Sequence, residues 1–115
     1  MSTRIIETIS DDITIISILG SLTSIQGVPA LRSRIDDLLS QGRNKIVLVM
    51  FGTTHIDSSG VGEITSALAR TQEKGGILVL SNLSNAVLHQ LWKTKLLSAH
   101  TVYSTLAEAK KSFQS

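Results

Sequence analysis

The sequence contains no cysteine, and aromatic residues make up only 3% of its 115 positions. Without cysteine the chain has no disulfide framework, no thiolate zinc site and no cysteine nucleophile. With so few aromatic side chains, a folded core has to be built from Ile, Leu, Val and Ala. The apolar share of 42% is ordinary for a globular protein, so we do not expect disorder.

Long apolar runs and concentrated charge are also missing. No run reaches the roughly 18 apolar residues of a membrane span, and the first residues do not resemble a secretion signal. The net charge is only +2, and Lys and Arg are scattered, whereas a nucleic-acid binder concentrates them on one face. We therefore expect a cytoplasmic protein that neither inserts into a membrane nor binds nucleic acid directly.

The length suits one hydrophobic core, so we expect a single domain over residues 1–115 with an ordered core from about 4 to 113. Two β-branched runs, 5–9 and 13–19, flank the turn signal Asp11-Asp12 and predict a β-hairpin. A polar loop is expected over 20–27. Pro29 suits the first turn of a helix that ends at Gly42.

The later part of the chain alternates apolar runs with amphipathic stretches. Runs 46–51 and 77–80 are apolar throughout and predict strands covered on both faces, as in a parallel sheet. A helical pattern follows each run, and 101–103 with the capping pair Thr105 and Glu108 predicts a last short strand and helix. The fold class is therefore α/β: a mixed sheet with an N-terminal hairpin followed by parallel strands, in the order β-β-α-β-α-β-α-β-α.

The stretch from Thr54 to Gly62 joins the most apolar run to the clearest helix start. Asp57, Ser58 and Ser59 all suit an N-cap, so one of them should cap the helix that runs towards Lys74. A helix N-terminus carries unpaired N–H groups and partial positive charge, which favour an anion such as a phosphate. We infer that a serine here accepts a phosphoryl group and that this decides which partner binds.

The residue types of this stretch also allow other interpretations. Taken alone, the motif could be a helix cap and nothing more. His55, Asp57 and Ser58 allow a hydrolase, but Ser58 points away from the other two in an extended run, and catalytic triads join separated segments. The glycines at 60 and 62 lack the third glycine of a dinucleotide fingerprint, and the histidines lack metal-ligand spacing. We therefore expect no enzyme, no cofactor and no metal.

The motif and the order of elements together resemble a STAS domain, specifically a bacterial anti-sigma factor antagonist. The resemblance covers nearly the whole chain. It is carried by the run from Ile56 to Gly62, by the Gly20-x-Leu22 step that closes the second strand, and by Gly75-Gly76 before a later strand. Relatives usually have an acidic residue after the Gly-x-Leu step, where this chain has Thr23.

The resemblance implies partner switching. The unphosphorylated antagonist binds an anti-sigma factor that is also a serine kinase, and the sigma factor is released. The kinase then phosphorylates the antagonist with ATP, and a phosphatase of the PP2C type reverses this. The first serine of the motif is the usual acceptor, which is Ser58 here, with Ser59 as the runner-up. The oligomeric state implied is a monomer or a weak dimer.

Further roles are expected around the acceptor. Asp57 caps the helix or orients the hydroxyl, and Gly60 and Gly62 keep the helix start accessible. We expect the docking surface to extend over exposed polar residues of the following helix and to border the loop after the second strand: Glu63, Ser66, Thr23 and Ser24. The alternative function is a constitutive STAS scaffold, either a subunit of a signalling assembly or an accessory protein of a transporter.

Overall fold

The computed structural model describes residues 3–93 and 101–114, except for the side chain of Ala86. Leu96 and Leu97, expected to extend the apolar surface behind the third helix, and His100 lie outside the described residues. The elements are β1 (Arg4–Ser10), β2 (Ile13–Leu22), α1 (Val28–Ser40), β3 (Lys45–Val49), β4 (Thr53–Ile56), α2 (Ser58–Glu73), β5 (Ile77–Ser81), α3 (Asn85–Trp92), β6 (Val102–Tyr103) and α4 (Leu106–Lys111).

The strands form one mixed sheet in the order β1-β2-β3-β5-β6, and β4 also pairs with β2. β1 is antiparallel to β2, with Asp11 in the left-handed conformation at the turn, and the remaining pairs are parallel. The α/β class and the N-terminal hairpin are therefore confirmed. The strand β4 is an additional element that the predicted order did not contain.

The expectation that 46–51 is a strand covered on both faces is wrong at its end. β3 stops at Val49, the N–H of Thr53 donates to the carbonyl of Met50 at 3.1 Å, and the side chain of Phe51 is 81% exposed. The chain turns here and continues as β4, which pairs with the C-terminal end of β2, where Gly20 pairs with Thr53. β4 leads directly into α2.

The core lies on both faces of the sheet. On one face, aliphatic residues of the sheet pack against α1, α2 and α3, with Leu31, Ile64 and Leu91 almost fully buried. On the other face, α4 places Ala109 against Ile13 and Val47. Both clusters are built mainly from aliphatic residues, as the shortage of aromatic residues predicts. Among the helices within 3–93 and 101–114, none has the length and apolar character needed to cross a membrane.

Candidate phosphoacceptor and partner-docking site

The candidate site begins where β4 ends and α2 starts. Asp57 has extended backbone angles (φ −112°, ψ −175°), and its Oδ1 accepts a hydrogen bond of 3.0 Å from the N–H of Gly60. This is N-cap geometry, because a side-chain oxygen satisfies a helical N–H that has no partner inside the helix. Asp57 is therefore the cap among the three candidates. Ser58 and Ser59 occupy the first two helical positions, and both are exposed.

The loop after β2 lies against this cap. The N–H of Ser24 donates to Oδ2 of Asp57 at 3.4 Å, and the N–H of Asp57 donates to the carbonyl of Leu22, also at 3.4 Å. The hydroxyl of Thr23 accepts from the N–H of Gln26 at 3.1 Å and closes the loop on itself. The predicted proximity of Thr23 and Ser24 to the motif is thus present. Ser24 contacts the cap directly, while the half-buried Thr23 shapes the loop.

The two glycines of the motif differ in their surroundings. Gly60 is buried, and a Cβ built on it would overlap the carbonyl oxygen of Leu22 and press on the side chain of Ile56. A Cβ on the exposed Gly62 would meet nothing within 4 Å. Gly60 therefore allows α2 to approach the end of β2, whereas only Gly62 leaves accessible surface open.

The two serines face different directions. Successive helical residues are separated by about 100° around the axis, so Ser59 lies on the same face as Glu63, one turn further on. Glu63 contacts α1 through Arg32, so this face is the one next to α1. Ser58 lies one position back, turned away from that flank. The exposed Ser58 therefore lies on a side of α2 that α1 does not cover.

The expectation that Glu63 is an exposed docking residue is wrong. Its side chain has 0% exposure, and its carboxylate accepts a hydrogen bond of 2.9 Å from Nε of Arg32 and one of 3.0 Å from Nη2 of Arg70. Arg70 also bonds to Asp36 on α1 at 3.0 Å and contacts the hydroxyl of the half-buried Ser66. The sequence predicted Glu63 as an exposed polar residue because a helical pattern does not show that α1 supplies a cation there.

This ion network joins the two helices that carry the site. The carboxylate of Glu63 is desolvated, and a buried charge of this kind persists only when it is paired and hydrogen-bonded. By accepting its hydrogen bond and by its charge, Glu63 raises the pKa of the Arg32 guanidinium above the ordinary value. The side chain of Arg32 is nevertheless 59% exposed.

His55 lies on β4, close in sequence to Ser58. Its Nδ1 is 3.1 Å from the hydroxyl of Thr54, and the ring is exposed. The ring borders a shallow pocket of about 190 Å³ between β4 and α3, lined in part by Ile56 and Val87. The contact that is formed orients His55 towards its neighbour Thr54 and gives it no role as a base for Ser58.

One exposed apolar residue near the site was not singled out from the sequence. Ile25 follows Ser24 in the loop after β2, and its side chain is 88% exposed. Its only sequence signal is an apolar residue placed inside a polar loop. Because Ser24 is bonded to Asp57, Ile25 lies on the same side of the molecule as the motif.

Comparison with known protein families gives one family match. The model of the STAS domain family matches residues 4–109, which is most of the chain. A protein of Thermotoga neapolitana, provisionally named an anti-sigma factor antagonist, is 33% identical over 79 residues, covering 69% of this chain and 70% of that protein.

Solved structures are similar over nearly the whole length. A crystal structure from Thermotoga maritima, provisionally named an anti-sigma factor antagonist, has a TM-score of 0.89 at 27% identity and covers 96% of this chain and 95% of that chain. The Bacillus cell fate determinant SpoIIAA, solved in its phosphorylated form, has a TM-score of 0.75 at 21% identity, with 96% and 97% covered. The second similarity concerns the fold alone.

Proposed function

Because the chain belongs to the STAS domain family, we propose that it is an anti-sigma factor antagonist switched by phosphorylation at Ser58. Its unphosphorylated form binds an anti-sigma factor that is also a serine kinase, and a sigma factor is thereby released. The observation that carries this proposal is the position of Ser58: exposed, at the first turn of α2, directly after the capping Asp57.

The covalent step is an ordinary phosphoryl transfer. Oγ of Ser58 forms a bond to the γ-phosphorus of ATP held by the kinase, the bond to the β-γ bridging oxygen breaks, and ADP leaves. The hydroxyl proton passes to a base of the kinase, since the neighbouring Asp57 carboxylate is engaged as a cap. The chain itself acts as substrate and binding module, and it needs no cofactor.

The charge of the product explains how binding is lost while the fold survives. A phosphoserine adds about −1.5 to −2 charge. At a helix N-terminus such a charge is stabilised by about 0.3 to 1 kcal/mol, so α2 should persist. In a packed interface the same charge must be desolvated beside the like charge of Asp57, which can cost several kcal/mol. Since about 1.4 kcal/mol is tenfold in affinity, the complex should dissociate.

The docking surface we propose surrounds Ser58. It includes the accessible side of α2 at Gly62 and the loop of Ser24 and Ile25, which the cap ties to the motif. Ile25 is the apolar anchor of this surface, because its 88% exposed side chain would gain from burial against a partner. A phosphatase of the PP2C type restores the binding form. Sigma factors act in the cytoplasm, so the proposal places the chain there.

The test uses the anti-sigma factor kinases of the source organism, each purified and incubated in turn with this chain and ATP. Intact-mass analysis should show one phosphoryl adduct, which disappears in Ser58→Ala and remains in Ser59→Ala. Calorimetry should show that Ser58→Asp weakens binding to the same kinase by tenfold or more. Equal binding of wild type and Ser58→Asp would instead support the constitutive scaffold.

A further inference from the structure

The ion network between α1 and α2 lies next to one of the two motif serines. Glu63 is fully buried between Arg32 and Arg70, at 2.9 and 3.0 Å, but the two cations differ in freedom. The side chain of Arg32 is 59% exposed, whereas that of Arg70 is 24% exposed and is also held by Asp36. Arg32 is therefore the partner that can leave Glu63 more easily.

From the directions of the two helices we expect the guanidinium of Arg32 to lie near Ser59. α1 follows β2 and α2 follows β4, and these strands are parallel, so both helices start at the same edge of the sheet. Helical side chains lean towards the N-terminus of their helix, so the guanidinium of Arg32 lies above its own turn, towards that edge. Ser59 lies one turn before Glu63, towards the N-terminus of α2, on the helix face next to α1.

We propose that Arg32 makes Ser59 a second phosphate-responsive position, distinct from Ser58. A phosphoryl group on Ser59 draws the Arg32 guanidinium away from Glu63 and loosens the contact between α1 and α2. A phosphoryl group on Ser58 faces away from α1 and leaves this network intact. The inference rests on the proposed function only in taking serine phosphorylation, by the same transfer from ATP with release of ADP, as the signal.

Charge and geometry favour this exchange of partners. A phosphoserine carries about −1.5 to −2 charge and three acceptor oxygens, against one charge on a carboxylate. A guanidinium binds phosphate with two parallel N–H donors, and Arg70 remains to neutralise Glu63. The N-terminal field of α2 acts on both serines, so it does not account for a difference between them.

The experiment uses the isolated full chain with phosphoserine installed during synthesis at position 58 or at position 59. A ³¹P NMR titration gives the second pKa of each phosphate. We expect the value for Ser59 to be lower than that for Ser58 by about one pH unit, because a nearby cation favours the dianion. The charged groups of the cap and of the ion network act on the same titration: Asp57, Glu63, Arg70, Arg32 and Asp36.

Two variants test whether Arg32 causes the difference between the two phosphate pKa values. Arg32→Gln should abolish this difference, whereas Arg34→Gln should preserve it. Arg34 is on the same helix but bonds to Glu7 on β1 at 3.1 Å, on the side of α1 away from Glu63. Equal pKa values in the two phosphoproteins, or a difference that survives Arg32→Gln, would overturn the proposal.

A second measurement does not depend on how a variant folds. The NMR signal of the Nε–H group of Arg32, which bonds to Glu63, should move when Ser59 is phosphorylated and stay in place when Ser58 is. If the Arg32 signal does not move when Ser59 is phosphorylated, the proposal is wrong. Since neither measurement involves a kinase, a failure here leaves the Ser58 switch standing.

Discussion

Asp57 and Ser24, which are 33 residues apart in sequence, are joined by a hydrogen bond from the N–H of Ser24 to Oδ2 of Asp57. The other carboxylate oxygen of Asp57 caps α2 through Gly60. One side chain therefore fixes both the start of the helix that carries Ser58 and the loop that carries Ile25. A partner that binds the motif meets these two segments in a fixed relation.

Removing the cap should destabilise the domain. Asp57→Ala loses the hydrogen bond to Gly60, and we expect the free energy of unfolding to fall by about 1 kcal/mol, the usual cost of losing an N-cap. Asp57→Asn keeps an acceptor oxygen and should lose clearly less. Urea denaturation followed by circular dichroism measures both variants. Equal stability of Asp57→Ala and wild type would show that the cap contributes nothing.

The two motif glycines form a matched pair for a packing test. In Gly60→Ala the new Cβ meets the Leu22 carbonyl, and overpacking of this kind costs about 1 to 3 kcal/mol. In Gly62→Ala the Cβ points into open space, and the better helix propensity should add about 0.5 to 1 kcal/mol. Opposite shifts of the thermal midpoint are the expected result. A stabilising Gly60→Ala would contradict the close approach of α2 to β2.

Neutralising the buried carboxylate should be far more costly than neutralising an exposed one. Glu63→Gln removes the anion shared by Arg32 and Arg70, and the loss of charge-assisted hydrogen bonds to a buried group should cost about 1.5 to 3 kcal/mol. Glu73→Gln, near the end of the same helix at an exposed position, is the control and should change stability by less than about 0.5 kcal/mol. Urea midpoints that fall equally in both variants would show that Glu63 is not an anchor.

The turn of the hairpin should respond to acid. Lys45 hydrogen-bonds to Asp12 at 2.7 Å and lowers the pKa of that carboxyl below its ordinary value of 3.8. The unfolded chain then binds more protons than the folded one in this range, so stability rises with pH. The contribution is complete above pH 3.8 and is lost as the pH falls through the lowered pKa.

Asp12→Asn should remove this part of the pH dependence, and so should Lys45→Gln, which removes the cation instead. The measurement is the urea midpoint from pH 6 down to pH 2 for each protein. The side chains of Asp12 and Lys45 are 69% and 41% exposed, so salt should weaken the effect. If the urea midpoint of the wild type falls with pH in parallel with those of both variants, the Asp12–Lys45 pair is not the source of the pH dependence.

Partner binding should depend on the exposed isoleucine beside the cap. Ile25→Ser should weaken binding to the kinase about tenfold or more, since burying such a side chain is worth about 1.5 to 3 kcal/mol. Its thermal midpoint should stay unchanged, because the side chain is 88% exposed. Ile77→Ser is the matched control: Ile77 is half exposed at the opposite end of the sheet. If the two variants bind alike, Ile25 lies outside the interface.

Several elements were predictable because their signals are local. β-branched runs around Asp11-Asp12 predicted the hairpin, and Gly75 closes α2 in the left-handed conformation that glycine tolerates. Thr105 caps α4 through the N–H of Glu108 at 3.1 Å, as their spacing predicted. Each of these signals acts over a few residues, so its outcome depends little on tertiary contacts.

Other features were not predictable because they depend on where the chain turns. The apolar run through Phe51 looked like one covered strand, but the turn at Met50 exposes Phe51 and creates β4. The hydrophobicity of the run shows which residues prefer burial. Which of them are buried depends on how the chain turns to pair β4 with β2. The role of Thr23 likewise depends on a turn, the one that brings the N–H of Gln26 to the Thr23 hydroxyl.

The sequence alone determined the α/β class, the family resemblance, and the motif in which Asp57 precedes two serines, because periodicity and capping are short-range properties of the chain. Only the tertiary structure decided that Glu63 is buried against Arg32 of α1 and that Ser24 binds the cap. Those facts require contacts between residues 31 and 33 positions apart. Desolvation and charge pairing act on residues that meet in space, and a pattern along one helix does not reveal what the neighbouring helix supplies.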